Sequence, residues 1–401
     1  MAALKALGLY VRNAWLICGI TIVLFLGLEL VCNVLVFIRR GPATIDPRSR
    51  ADAYANADWP VAYFDEYNSM PDLKWHPYTY WRRAPFKGKY MTIDEQGLRK
   101  TWSGIDAKDS SEKKTLRIFM FGGSTLWGTG APDEETIPSF LAKLLTQGYR
   151  FNVNVTNFGM TGYVSTQEVI ALLGELQRGN MPDVVIFYDG VNDTFSTFQN
   201  RGAAGLPMNE SNREREFNLL RPQHITRLYK EALLVTFKNS STYDVLRSVV
   251  RRTTGRDLLS FKQDVSRYPP PDQIGSEVAR VYAWNITLVK NIGELHGFKT
   301  LFYWQPVVFT KDELTAYERQ LLEEAKDVGP YYVAAIRASK RQLSPHVDVF
   351  HDISDVFSGD SKPYFVDTVH ITGAGNQKIA RRMLEDVAPI TRKLIAGRAR
   401  N

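Results

Sequence analysis

The sequence predicts an α/β protein built on a parallel β-sheet, and three observations support this. Five short apolar segments between residues 116 and 351 have the β-branched and aromatic bias of buried strands. Helix-like segments lie between them, and such alternation requires crossover connections and hence parallel strands. Glycines and polar residues follow the ends of the strands, which is the edge where open α/β sheets bind their ligands.

The individual elements follow from the same pattern. The predicted strands are residues 116–122, 153–158, 183–189, 299–305 and 347–351. The predicted helices are residues 134–147, 164–178, 276–296, 311–343 (broken near Gly329-Pro330) and 374–395. The first of these helices is expected to begin near Asp133-Glu134-Glu135, because acidic side chains suit the positive end of a helix dipole.

Composition narrows the functional classes. The chain has 401 residues and a net charge of +7, but its basic residues are scattered and form no stripe interleaved with aromatic residues. Nucleic-acid binding is therefore discounted. The two cysteines, Cys18 and Cys32, lie in one apolar stretch, where a helix would hold them about 21 Å apart, too far for a disulfide. A chain of this length can bury a sufficient core without disulfides.

Residues 1–40 are predicted to form an N-terminal transmembrane anchor. The stretch from Trp15 to Ile38 is almost continuously apolar and has the roughly 20 residues that cross a bilayer. No small-residue cleavage site of a secretory signal follows it. Slightly more positive charges follow the stretch than precede it, and the positive-inside rule alone would then keep the rest of the chain cytoplasmic.

Two polar residues interrupt the apolar stretch. Glu29 and Asn33 are four residues apart and share one helix face. A carboxyl group inside a membrane is costly and usually faces a partner, so we hypothesise that this face meets another transmembrane helix. The alternative is that a protonated Glu29 is tolerated in a single span.

The remaining chain divides into two parts. Residues 41–114 are predicted to be a linker and an aromatic-rich pre-domain packed on the core; an aromatic platform for sugar rings is the alternative role of its rings. Residues 115–401 form the main domain, with an insertion over 194–275 where the alternation stops. The insertion carries a polar loop at 209–216 and a helix-like stretch at 227–251. Because it follows a strand end directly, it can form a lid or substrate wall.

Two motifs can supply a nucleophile and its base. Ser124 follows Gly122-Gly123 at the end of the first predicted strand. Asp367 precedes His370 by three residues, after the last predicted strand. A serine hydroxyl needs a base within hydrogen-bond reach, and an imidazole held by a carboxylate supplies one. Taken singly, Ser124 would be interpreted as an ordinary loop serine after glycines, and His370 as a structural histidine.

Two further motifs can supply donors to an oxyanion. Asn157-Phe-Gly159-Met-Thr-Gly162 follows the second strand, and its glycines can turn a backbone N–H towards a reacting carbonyl. Asn192 follows the third strand, and a side-chain amide there can stabilise a tetrahedral intermediate. A plain strand-to-helix turn and an Asx turn are the alternatives. Along the chain the four motifs occur in the order Ser124, Asn157–Gly162, Asn192 and Asp367–His370, each after a predicted strand. Together they are a specific combination, although each alone is a weak signal.

In these motifs the chain resembles the SGNH/GDSL hydrolases over roughly residues 115–395. The resemblance implies that Ser124 is the nucleophile, His370 the base and Asp367 its orienting acid. It also implies an oxyanion hole made by Ser124, Gly162 and Asn192. Gly162 is preferred to Gly159 because the family glycine usually lies five residues after the asparagine of the motif. The implied fold is a flavodoxin-like three-layer α/β/α sandwich with strand order 2-1-3-4-5 and no metal or organic cofactor.

One residue departs from the family pattern. Gly123 stands where the family has an aspartate. That aspartate is not one of the catalytic groups, so the predicted triad is kept. The departure leaves open which interactions support the nucleophile loop in this chain.

The resemblance implies an ester hydrolase. With a membrane anchor, such enzymes often act outside the cytoplasm on acylated cell-envelope glycans or lipids, and an extracytoplasmic domain is expected here. The same triad can transfer the acyl group to a sugar hydroxyl instead of water, which would make the protein an O-acyltransferase. A membrane-anchored scaffold on a degenerate hydrolase fold is the alternative from another class.

Overall fold

The computed structural model describes residues 2–39, 45–55, 57–104, 115–149, 151–219, 225–254 and 268–398. The chain divides into two compact units. One comprises Met1–Thr44 and Ser211–Val265, and the other comprises Ile45–Glu210 and Ser266–Asn401. Parts of the predicted linker and pre-domain (41–44, 56 and 105–114) and of the insertion (220–224 and 255–267) lie outside the described residues.

The described chain contains nine strands and thirteen α-helices in the following order. The strands are β1 Lys74–His76, β2 Tyr80–Arg82, β3 Phe86–Lys87, β4 Thr92–Ile93, β5 Leu116–Gly122, β6 Val153–Asn157, β7 Val184–Asp189, β8 Lys299–Trp304 and β9 Phe350–Asp352. The helices are α1 Ala2–Arg39, α2 Pro60–Ser69, α3 Ser124–Trp127, α4 Ile137–Lys143, α5 Ser165–Gln177, α6 Val191–Gln199, α7 Glu210–Leu219, α8 Ile225–Lys238, α9 Ser241–Thr254, α10 Pro271–His296, α11 Ala316–Glu324, α12 Gly329–Gln342 and α13 Gly373–Arg398.

The main unit is built on a five-stranded parallel sheet with the order β6-β5-β7-β8-β9. In chain order this is 2-1-3-4-5, so the predicted parallel sheet and its strand order are confirmed. The strand order reverses at β5, which pairs with β6 on one side and with β7 on the other. Ligands of open α/β sheets bind at such a switch point, beyond the carboxyl ends of the strands.

Helices cover both faces of this sheet, which makes the predicted three layers. Alternate side chains of β5 serve opposite faces, as the two-residue period of a strand requires. Ile118 and Met120 pack in a core with α4 and α13, whereas Phe119 and Phe121 pack in a second core with α5, α10 and α12. Two buried cores on one sheet explain why the strands read as continuous apolar runs.

Three sequence predictions were wrong in their local detail. A helix begins at Ser124 itself, and α4 begins at Ile137, behind a single turn at Asp133–Glu135 and the N-cap Thr136. The polar segment 209–216 is not a loop, since α7 occupies most of it; its lack of apolar residues hid the helical period. The last strand is Phe350–Asp352 rather than 347–351.

Residues 45–104 belong to the same compact unit as the sheet. Their buried aromatic side chains, among them Tyr63 and Phe64 on α2, form a small core with Trp127 and Val366. These two partners lie three residues after Ser124 and one residue before Asp367. The pre-domain rings therefore pack directly behind the segments that carry the predicted site residues.

Among its described residues, the other unit contains one helix that is long and apolar enough to cross a membrane. The apolar part is Gly8–Ile38, 31 residues, and nearly all of its described side chains are exposed. At 1.5 Å per residue it extends about 46 Å, which exceeds the roughly 30 Å of a bilayer core. Because the helix is longer than the bilayer core, polar residues near one of its ends can lie outside that core.

Glu29 and Asn33 have partners within this unit. The Glu29 carboxylate accepts hydrogen bonds from the backbone N–H groups of Ser241 and Thr242, at 2.6 and 3.0 Å, and from the Thr242 hydroxyl at 2.7 Å. The Ser241 hydroxyl donates to Asn33 Oδ1 at 2.8 Å. Glu29 thereby satisfies free donors at the N-terminus of α9. A further transmembrane helix as partner of this face stays a prediction.

Candidate active site

The nucleophile loop begins where β5 ends at the sheet edge. Gly122 passes so close to β7 that a Cβ there would lie 2.8 Å from the Tyr188 carbonyl oxygen and 2.7 Å from Leu126 Cβ. The chain then enters α3 at Ser124, which is 9% exposed. A glycine is needed before this turn because a larger residue would separate the loop from the sheet.

Asp367 and His370 lie in a tight loop after β9. A backbone hydrogen bond from Val366 N–H to His370 O, 2.9 Å, closes the loop. Within it, Asp367 Oδ1 accepts hydrogen bonds from the N–H groups of Val369 and His370 at 3.0 and 2.8 Å. The carboxylate thus shapes the backbone that presents the imidazole, in the manner of an Asx turn.

The structure brings Ser124, His370 and Asp367 together. Ser124 Oγ lies 2.7 Å from His370 Nε2, and His370 Nδ1 lies 2.7 Å from Asp367 Oδ2. The His370 and Asp367 side chains are 15% and 28% exposed. Burial alone would raise the pKa of Asp367, but the imidazole charge and the hydrogen bonds from the His370 ring and backbone hold that pKa well below its usual range. An ionised Asp367 favours the tautomer with the proton on Nδ1, which leaves Nε2 as the acceptor for the serine proton.

Gly162 and Asn192 flank the same edge of the sheet. Gly162 has φ +78°, in the left-handed region that favours glycine. Within the described chain, no group accepts a hydrogen bond from the N–H of Ser124 or Gly162, whereas Gly159 N–H donates to Asn157 Oδ1 at 2.9 Å. This difference leaves Gly162, rather than Gly159, with a backbone donor for a ligand.

The Asn192 side chain lies across Gly123. One amide hydrogen of Asn192 is donated to the Tyr163 carbonyl oxygen at 2.7 Å. A Cβ on Gly123 would stand only 2.2 Å from Asn192 Nδ2. This contact explains why a glycine stands at position 123, where the family pattern has another residue: the Asn192 amide occupies the space that a side chain would need.

We expect Gly123→Ala to lower kcat for ester hydrolysis by about 10²-fold, because the new Cβ displaces the side chain of Asn192, the predicted oxyanion donor. The unfolding midpoint should change little, since only the end of one side chain has to move. Steady-state kinetics and urea denaturation measure the two effects. Gly148→Ala is the matched control, because a Cβ there meets nothing within 4 Å. Full activity of Gly123→Ala would exclude Asn192 as a donor.

Arg99, which belongs to none of the sequence motifs, supports the loop after Ser124. Its guanidinium is buried and donates to the carbonyl oxygens of Trp127, Gly128 and Ala131 at 3.1, 2.7 and 2.6 Å. It also pairs with Asp133 at 2.9 Å. One arginine among many scattered ones carries no sequence signal, because burial decides its role.

Three buried carboxyl groups lie next to Asn192. Asp189 and Asp193 flank Asn192 in sequence, and Glu168 comes from α5. Asp193 Oδ1 accepts from the N–H and hydroxyl of Ser165, and Asp189 Oδ2 accepts from the Tyr282 hydroxyl at 3.0 Å. No described donor reaches either oxygen of Glu168. Burial, and then the charge of Asp189, raise the pKa of Glu168 well above its usual value. A raised pKa favours the protonated form of Glu168, in which the carboxyl group can donate a hydrogen bond.

The pH dependence of stability should report this group. Because its pKa is raised in the folded chain, we expect Glu168 to keep its proton there at pH values at which the unfolded chain, with a glutamate pKa of ~4.3, has released it. As pH rises from about 4 towards the raised pKa, the free energy of unfolding of the wild type should therefore fall relative to that of Glu168→Gln. Urea denaturation of both proteins between pH 4.5 and 8 measures the difference. Parallel curves would contradict a protonated Glu168.

No cluster of three or more histidine, cysteine, aspartate or glutamate side chains suited to a metal ion occurs in the part of the chain that the structure describes. The groups that meet at the sheet edge are a serine hydroxyl, an imidazole within hydrogen-bond distance of it, a carboxylate on the other side of that imidazole, and hydrogen-bond donors. Such a set can carry out acyl transfer with its own side chains.

Comparison with known proteins gives neither a matching family model nor a matching curated protein. Among solved structures, the chain is similar to a lipase from a goat rumen metagenome (14% identity, TM-score 0.37, covering 67% of this chain and 95% of that one). It is also similar to a carbohydrate acetylesterase from Sinorhizobium meliloti (11%, 0.37, 69% and 99%) and to an acetylxylan esterase from Geobacillus stearothermophilus (14%, 0.33, 69% and 96%). At such identities and TM-scores, the interpretation of the site rests on its own geometry.

Proposed function

We propose that the protein is a serine ester hydrolase that acts through an acyl-enzyme intermediate on acylated glycans or lipids of the cell envelope. The observation that carries the proposal is the continuous hydrogen-bonded line from Ser124 Oγ through the His370 ring to Asp367, with both steps at 2.7 Å. Free backbone donors and the Asn192 amide on the same sheet edge complete what acyl transfer requires.

In the acylation half, His370 Nε2 takes the proton from Ser124 Oγ, and Oγ attacks the ester carbonyl carbon. The negative charge on the carbonyl oxygen is stabilised by the N–H groups of Ser124 and Gly162 and by the Asn192 amide. The ester C–O bond then breaks, and the leaving alcohol takes the proton from Nε2. Asp367 keeps the other ring proton on Nδ1 throughout.

In the deacylation half, His370 Nε2 takes a proton from water, and the water oxygen attacks the acyl carbon. The bond to Ser124 Oγ breaks, the serine recovers the proton, and the carboxylic acid leaves. A sugar hydroxyl in place of water would make the same steps an O-acyl transfer. We propose hydrolysis as the principal reaction, since water needs no dedicated binding site.

Helix α1 anchors the chain in a membrane in this proposal, with the sheet unit outside the cytoplasm. Support for the anchor comes from its 31-residue, predominantly apolar stretch Gly8–Ile38, whose side chains are almost all exposed. The orientation follows the resemblance to envelope enzymes and runs against the small excess of arginines after the span. An alkaline phosphatase fused to the C-terminus should be active in bacterial cells, because that reporter folds only outside the cytoplasm; an inactive but expressed fusion would reverse the orientation.

A fluorophosphonate probe tests the proposed nucleophile directly. We expect the detergent-solubilised full chain to be labelled at Ser124 and labelling to disappear in Ser124→Ala. Thr125→Ala is the neighbouring control, because the Thr125 hydroxyl donates to Gln305 Oε1 at 3.2 Å, whereas the Ser124 hydroxyl lies against the His370 ring. Absence of labelling in folded wild-type protein would favour the scaffold alternative.

The acceptor of the acyl group, water or a sugar hydroxyl, is tested with the same detergent-solubilised full chain. Acetylated oligosaccharides and p-nitrophenyl esters of increasing chain length should release free acid, with the rate showing which acyl length fits. Mass spectrometry of an added, unacetylated oligosaccharide measures transfer in parallel. Transfer that exceeds release of free acid would make the protein an O-acyltransferase.

A further inference from the structure

The hairpin β1–β2 carries a row of aromatic rings that runs from solvent to the candidate oxyanion turn. Trp75 is 70% exposed and stacks on Tyr80 with ring centroids 5.5 Å apart. Tyr80 lies 6.5 Å from Trp81, and the Trp81 ring lies 5.6 Å from that of Tyr163. The outer rings are open to solvent, whereas Trp81 and Tyr163 are buried.

The inner end of this row fixes the turn that contains Gly162. Trp81 Nε1 donates to the Thr161 carbonyl oxygen at 2.8 Å, and the Trp81 ring lies 3.4 Å from the place of a Gly162 Cβ. The Tyr163 carbonyl oxygen accepts the hydrogen bond from Asn192. The rings thus lead to the two residues that the proposed mechanism uses as oxyanion donors together with Ser124.

The tip of the hairpin has an unfavourable backbone conformation. Tyr78 and Tyr80 have φ of 65° and 73°, in the left-handed region that bulky residues rarely adopt. Tyr78 is 84% exposed, so the tight turn between β1 and β2, rather than core packing, holds it in this conformation. Such conformations persist where the surrounding structure determines them, and they concentrate at ligand-binding sites.

We propose that the exposed rings of Trp75 and Tyr78 form a glycan-binding subsite that leads an acylated oligosaccharide to Ser124. Aromatic faces carry negative charge density and pack against the apolar, weakly positive C–H face of a sugar ring. Polar groups for sugar hydroxyls lie beside them: the Tyr80 hydroxyl bonds Glu210 at 3.2 Å, and His76 Nδ1 lies 2.9 Å from the Thr79 hydroxyl. This inference rests on the proposed function for its acyl group, but not for its binding of glycan.

Calorimetry on the full chain in detergent, in the Ser124→Ala background, tests the binding. Hexamers of N-acetylglucosamine and of xylose are the probes, so no turnover is needed. At least one hexamer should bind, and Trp75→Ala should weaken its Kd about tenfold. Trp284→Ala is the matched control, since Trp284 is equally exposed at 66% but lies on α10. Failure of both hexamers to bind would overturn the subsite, as would equal loss in Trp284→Ala.

Kinetics in the wild-type background separate this inference from the proposed function. Trp75→Ala and Tyr78→Ala should each raise KM for an acetylated hexamer several-fold and leave the kinetics of p-nitrophenyl acetate unchanged. Equal effects on both substrates would show a structural role and overturn the subsite. Hydrolysis of p-nitrophenyl acetate without glycan binding would keep the hydrolase and overturn the subsite. Glycan binding without any hydrolysis would keep the subsite and overturn the hydrolase.

Liposomes of phosphatidylglycerol and phosphatidylethanolamine provide a further outcome. Because Trp75 and Tyr78 are also suited to a lipid surface, flotation with Ser124→Ala and with its Trp75→Ala derivative is compared. Equal flotation supports the glycan subsite, since helix α1 alone then accounts for lipid binding. Reduced flotation of the Trp75→Ala derivative would overturn it in favour of a membrane contact.

Discussion

Replacing Ser124 by alanine is expected to lower kcat for ester hydrolysis by about 10⁴-fold or more, and His370→Ala should do the same. In the proposed mechanism, each change removes one of two groups that act as a unit, so the double variant should be no slower than either single one. The residual rate comes from binding and from the oxyanion donors. Steady-state kinetics on p-nitrophenyl acetate measure kcat, and full activity of Ser124→Ala would exclude it as the nucleophile.

Asp367→Asn refines the same test. The amide cannot accept the Nδ1 proton as a carboxylate does, so the imidazole is left in the wrong tautomer, and kcat should again fall by about 10⁴-fold. Ser344→Ala and His346→Gln are the controls, because these residues lie before β9, away from the sheet edge at Ser124. Their kinetics should match those of the wild type.

Replacing Arg99 by methionine is expected to lower the free energy of unfolding by about 3–5 kcal/mol. The change leaves Asp133 as a buried carboxylate without its cation and removes the donor to three loop carbonyls. The guanidinium also lies 4.3 Å above the Trp127 ring, so packing is lost as well. Urea denaturation followed by tryptophan fluorescence measures the effect.

Two variants show whether burial is the cause. Arg337 pairs with Asp272, but its side chain is 66% exposed, so Arg337→Met should change the free energy of unfolding by no more than about 1 kcal/mol. Arg99→Lys should rescue Arg99→Met only in part, because an ammonium group cannot reach the same four acceptors at once. Equal losses for Arg99→Met and Arg337→Met would contradict the buried role.

The sheet could be predicted because its strands are buried on both faces. Continuous apolar runs such as Ile118–Phe121 need no tertiary information to be recognised, and turns at Gly122 and Gly190 end them clearly. Helix α7 could not be predicted, since a helix with almost no apolar side chains has no periodic signal. The acidic residues 133–135 predict a start of α4 that is too early, because the true N-cap is Thr136.

Some features of the candidate site could likewise be predicted from the sequence, and others could not. Ser124, Asp367 and His370 could be predicted to meet because each follows a strand whose carboxyl end lies at one sheet edge. Their catalytic roles, like those of Gly162 and Asn192, stay predictions. Arg99, Glu168 and the closeness of Asn192 to Gly123 could not be predicted, because burial and approach distance arise from tertiary packing. A single sequence carries no signal for either.

The hydrogen bonds between Glu29 and the start of α9 set a limit on how this protein can be shortened for crystallisation or assay. A chain that begins after the apolar helix loses the acceptor for the N–H groups of Ser241 and Thr242, and the lost cap weakens α9 by about 0.5–2 kcal/mol. Buried Tyr243 would also lose the helix that its own helix packs against. A chain cut at residue 40 alone therefore keeps residues 211–265 but removes the helix with which they form one compact unit.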